Sequence, residues 1–112
     1  MNLTKTMEVN LQSYEAMFIF NPSLSEPDQK LLAESLEKVL KDNQAEVKAS
    51  QVFGRRQLAY EIKKCKEGLY YLMNFLAPTG DAVTKLKQAC QIDENVLRVL
   101  VLNKQLGGGV NG

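Results

Sequence analysis

The chain has 112 residues, 45% of them hydrophobic, with 14 Lys and Arg against 13 Asp and Glu for a net charge of +1 at pH 7. That length suits one domain with its own core, and near-neutrality excludes a protein held to polyanions by bulk charge alone. No window approaches the ~18 consecutive apolar residues of a membrane span, and the sequence contains no histidine, the commonest general base and metal ligand.

Residues 1–13 read as a flexible arm without a signal or transit pattern, which places the chain in the cytoplasm. Tyr14 to Phe20 then reads as a strand, closed by Asn21-Pro22 because proline cannot donate to a ladder. Ser25 with Asp28 three residues on has the form of a capping box, with Pro27 tolerated in the first turn. Leu32, Leu36, Val39 and Leu40 give the helix that follows an apolar stripe, and Asp42-Asn43 ends it. The second strand starts with Ala45, Val47 and Ala49 inward, but its apolar phase moves to Leu58, Tyr60 and Ile62 beyond Phe53. A bulge at Gly54 absorbs such a slip; the alternative is a plain turn joining two shorter strands. Lys63 to Gly68 forms the hairpin tip and Leu69 to Leu76 the third strand, stopped by Pro78. Thr79 or Asp81 caps a second helix with Ala82, Val83, Leu86, Ala89 and Cys90 on its apolar side. Val96 to Leu102 is the last strand, and residues 105–112 read as a flexible Gly-rich tail.

The order β-α-β-β-α-β belongs to the α+β class, in the split βαβ or ferredoxin-like arrangement: a four-stranded antiparallel sheet with both helices on one face. The domain then spans residues 14–104. Its strands are apolar at odd and even positions alike, although side chains alternate faces along a strand. Two helices cover one face only. The other keeps Tyr70 and Leu72, or Tyr71 and Met73, according to phase, and a bare apolar patch of several hundred Å² marks a partner interface.

Charge is segregated: Arg55, Arg56, Lys63, Lys64 and Lys66 stand against Glu61 alone between positions 55 and 66, a net +4 that leaves −3 for the rest. A local patch of this kind docks on phosphate. Arg98 is the one charge inside the last strand and reaches RNA or an acidic group, with Lys104 further along. Tyr60 has two readings, stacking on a base and packing in the core. The third strand departs from an RNA-recognition motif, with Leu69 and Asn74 at positions where that motif carries aromatics. Cys65 and Cys90 lack metal-ligand spacing, and no phosphate-binding glycine motif or nucleophile elbow is present, so neither a cofactor, a metal nor catalysis is expected.

Tyr14-Glu15, the run Gly54-Arg55-Arg56-Gln57-Leu58-Ala59-Tyr60-Glu61-Ile62, Glu67-Gly68-Leu69-Tyr70-Tyr71 and Ile92-Asp93-Glu94-Asn95-Val96-Leu97-Arg98 together resemble the bacterial-type small-subunit ribosomal protein six family. The resemblance implies a non-catalytic, ribosome-bound structural protein that binds the central domain of small-subunit ribosomal RNA as a heterodimer with ribosomal protein eighteen. On that resemblance Arg55, Arg56, Lys63, Lys64, Lys66, Arg98 and Lys104 contact RNA or the partner. The competing reading is a ferredoxin-like regulatory domain holding a small metabolite at a dimer interface, for which the sequence supplies no convergent polar groups.

Overall fold

A computed structural model describes residues 11–104. The arm before Leu11 and the tail after Lys104 lie outside these residues. Strand β1 runs Gln12–Phe20, helix α1 Glu26–Asp42, β2 Glu46–Ile62, β3 Cys65–Ala77, helix α2 Asp81–Ile92 and β4 Val96–Asn103. The sheet order is β2-β3-β1-β4, antiparallel throughout, so the first and third strands are central as their apolar content requires. This is the expected ferredoxin-like fold.

The helix ends follow local chemistry. Ser25 Oγ accepts from the Asp28 amide at 3.3 Å and Pro27 sits in the first turn of α1, where the missing N–H has no intrahelical partner to lose. At α2 the capping residue is Gly80, while Thr79 Oγ1 accepts from the Asp81 amide at 3.2 Å. Leu32, Leu36 and Leu40 of α1 and Ala82, Leu86 and Cys90 of α2 are buried against one sheet face. There they meet Tyr14, Ala16, Phe18 and Phe20 of β1 with Met73 and Phe75 of β3. Phe18 and Phe20 stack with ring centroids 5.7 Å apart, and Phe20 stacks on Tyr71 at 5.5 Å.

Strand β2 carries the irregularities. The expected bulge is present: pairing shifts between Val52 and Gly54, Phe53 is the extra residue, and Gly54 takes φ 103°, a region that disfavours any Cβ. A second shift between Val47 and Ala49 was not legible in the sequence, and it corrects the inward placement of Ala49. With Lys48 as the extra residue, Ala49 emerges exposed opposite Asn74, and Ser50, also exposed, turns to the α1 side to donate to Glu37 Oε2 at 3.0 Å. The hairpin tip is also tighter than the expected Lys63–Gly68 loop. Ile62 pairs with Cys65, leaving a two-residue turn in which Lys63 and Lys64 have φ 50° and 69°, the left-handed pair that matches strand twist.

A third shift lies between Gln57 and Ile62, where Leu58, Ala59, Tyr60 and Glu61 oppose Lys66 alone. The arch bends this end of the hairpin over the sheet, and Gly68 makes room for it. A Cβ on Gly68 would overlap Ile19 Cγ2 and stand 3.4 Å from Leu58 Cδ2. Ile19 is β-branched and 9% exposed, so it has little freedom to yield. Gly68→Ala is therefore expected to cost about 1–3 kcal/mol in urea unfolding, and Ile19→Ala in the same chain is expected to recover part of that loss. Strict additivity of the two changes would show that the side chains do not meet.

Candidate protein and nucleic-acid interface

The register determines which side chains face away from the helices. Three rows cross the open face from β3 through β1 to β4: Tyr70, Ile19 and Arg98; Leu72, Met17 and Leu100; Asn74, Glu15 and Leu102. Leu100 and Leu102 are 59% and 52% exposed. The middle row is wholly apolar and no helix lies on it. This resolves the phase question, and it corrects the assignment of two residues. Met73 is fully buried under the helices, and Tyr71 packs against the same core, because their odd positions on β3 match the even positions of β1 that carry Phe18 and Ala16. Tyr70 and Leu72 belong to the open face; Tyr71 and Met73 do not.

One end of that face is lined with cations held on aromatic rings. Arg56 lies over Tyr70, 5.9 Å from the centroid, and Arg98 lies over Tyr60 at 5.8 Å while donating from Nη1 to the Tyr60 hydroxyl at 3.2 Å. Tyr60 is 62% exposed, so core packing is not its role. The arch of β2 carries it from one edge of the sheet to β4 on the other. Lys63 makes the same crossing and donates to the Val96 carbonyl at 3.0 Å. Lys64 and Lys66 are exposed at the tip.

Arg55 and Arg56 point to opposite faces, as adjacent strand residues must. Arg55 pairs with Glu67 at 3.6 Å, and both side chains are about half exposed, so this ion pair is worth little. Lys104 Nζ donates to Asn74 Oδ1 at 3.5 Å, at the far end of the open face. The seven basic residues therefore form no single cluster. Arg56, Lys63 and Arg98 converge on the arched end, whereas Arg55 faces the helix side and Lys104 lies just past the far end of β4.

Met17, Ile19, Leu100 and Leu102 are open-face residues that the sequence left unassigned. Their signal was the second apolar phase of β1 and β4. What was missing was the face that α1 and α2 choose, which follows from the aromatic rings of β1 and β3 gathering on one side. Among the described residues, no group of three or more Asp, Glu, Cys and His is placed to hold a metal, and no helix is long and apolar enough to cross a membrane. Burial, with the nearby Asp93 carboxylate adding to it, pushes the Cys90 thiol up to about 12, so it stays protonated at neutral pH.

The chain is similar to known proteins over nearly all of these elements. The family model described as ribosomal protein S6 matches residues 13–103. The small ribosomal subunit protein bS6 of Lactobacillus acidophilus is 37% identical over 89 residues, 80% of this chain and 91% of that protein. The corresponding protein of Shouchella clausii is 40% identical over 91 residues, 81% of this chain and 95% of that one. A crystal structure of 30S ribosomal protein S6 from Thermotoga maritima has the same fold, with a TM-score of 0.80 at 24% identity, covering 91% of this chain and 95% of that one. The extent of the family match and the identity to these relatives place this chain in the ribosomal protein S6 family.

Proposed function

We propose that this chain is a structural constituent of the small ribosomal subunit in the cytoplasm, binding the central domain of its ribosomal RNA together with ribosomal protein eighteen. The observation that carries the reading is the uncovered row Leu72, Met17 and Leu100, bounded at one end by Arg56 on Tyr70 and Arg98 on Tyr60. The apolar row offers a protein partner surface to desolvate, and the cations beside it offer phosphate contacts. Guanidinium groups are suited to this because they give bidentate, planar recognition of phosphate. A net charge of +1 agrees with the division of labour: a basic partner supplies much of the neutralisation that this chain lacks.

The mechanism is assembly rather than catalysis. The chain contributes a preformed sheet, so docking orders few side chains and little binding energy goes into folding the site. Changing Arg55 and Arg56 together to alanine is expected to leave the unfolding free energy within about 1 kcal/mol of wild type, since the one ion pair removed is exposed. The same variant is expected to weaken RNA association and to reduce the slope of log K against log salt by about 0.9 for each phosphate that the chain no longer neutralises. The measurement is a salt titration of RNA binding in the presence of the partner protein. An unchanged slope would remove both arginines from the phosphate contact.

A further inference from the structure

Resting on the small-subunit reading, we propose that the groove between α2 and β4 seats a stretch of RNA phosphate backbone, with Lys87 as a phosphate-binding residue. The groove has a volume of about 650 Å³ and draws cations from three separate elements: Lys63 at the hairpin tip, Lys87 on α2 and Arg98 on β4. No carboxylate is among its lining residues. Gln88 and Gln91 add neutral donors from the same flank of α2 as Lys87, with Thr84, whose hydroxyl donates to the Gly80 carbonyl at 3.3 Å, one turn before them, spaced so that successive turns stack them along one wall. Lys85, on the other flank of the helix, is not part of the groove.

The cations are arranged for an anion outside the fold. Among the described residues Lys87 has no ion pair with a carboxylate. Lys63 uses one ammonium donor on the Val96 carbonyl and Arg98 uses one guanidinium N–H on Tyr60, which leaves the other donors of each available. Asp93 lies close enough to Cys90 to raise its thiol but is not among the groove's lining residues; its carboxylate accepts from the Asn95 amide at 2.9 Å within its own turn. The groove is an open trough rather than a closed cavity, and through Lys63 it joins the exposed Lys64 and Lys66 of the hairpin. A continuous polyanion fits that track better than a small enclosed ligand.

The test uses the full chain labelled with nitrogen-15, titrated with a short RNA hairpin at low salt, together with Lys87→Gln and the control Lys85→Gln. Both side chains are exposed, so both variants are expected to keep the wild-type spectrum away from the changed site. Shifts are expected at the amides of Thr84, Lys87, Gln88 and Gln91 and along the start of β4. Lys87→Gln is expected to weaken binding several-fold and to lower the salt slope by about 0.9, while Lys85→Gln leaves both unchanged. Equal effects of the two variants, shifts confined to the open sheet face, or the same shifts from inorganic phosphate alone would each overturn the proposal, as would no RNA binding at all. Sedimentation separates the two ideas. A Lys87→Gln chain with an unaltered RNA slope that still travels with small subunits would sink the groove and spare the small-subunit reading; a wild-type chain absent from those particles would sink the reading itself.

Discussion

Leu100→Glu is expected to yield a folded chain that no longer joins the proposed partner, ribosomal protein eighteen. Leu100 is 59% exposed on an edge strand, so a glutamate there keeps its water in the free protein and the stability change is expected to stay within about 0.5 kcal/mol. In the complex the position is different. Leu100 shares the apolar middle row of the open face with Met17 and Leu72, and a partner seated on that row strips water from the carboxylate. An unpaired buried charge at an interface costs about 2–5 kcal/mol, which is at least about 30-fold in affinity. Circular dichroism with pull-down against the purified partner separates the two effects. Wild-type affinity in the Leu100→Glu chain would show that the middle row is not the contact.

Phe18→Ala is expected to have the largest effect on stability. Phe18 is fully buried, sits opposite Tyr71 on one side and Val99 on the other, and stacks on Phe20. It ties both central strands to the edge strand β4 beneath the helices. Truncating a buried phenylalanine removes its transfer free energy and leaves a cavity, about 3–5 kcal/mol together. Domains of this size hold roughly 5–15 kcal/mol in all, and each kcal/mol is worth about 4–8 °C in melting temperature. Thermal unfolding should therefore show a drop of more than about 10 °C. A shift of only a few degrees would mean that the core closes around the missing ring.

Much of this architecture was legible in the residues. The alternation of helix-period and strand-period segments specified the element order, and the doubly apolar first and third strands specified their central places. The phase slip past Phe53 located the bulge at Gly54. The bulge at Lys48 left no trace, because Ala49 and Ser50 are both small and either is acceptable on either face. The arch at Leu58 to Glu61 was also hidden: its residues alternate as a plain strand does, and the room that Gly68 leaves for Ile19 and Leu58 is an arrangement between strands that no local pattern records. For the same reason the meeting of Tyr60 with Arg98, 38 residues apart, is a property of the tertiary fold alone. The basic residues were identifiable by type, but their division between the two sheet faces followed only from the register.

Attachment to the small ribosomal subunit through the open sheet face and the arched basic end is tested by sedimentation of a tagged full chain through a sucrose gradient at moderate and then high salt, with Leu100→Glu run beside it. The wild-type chain is expected to co-migrate with the small subunit at moderate salt, and the Leu100→Glu chain to be depleted from that fraction. Recovery of the wild-type chain only among free proteins under both conditions would contradict this mode of attachment, and would bring forward a metabolite-binding dimer instead.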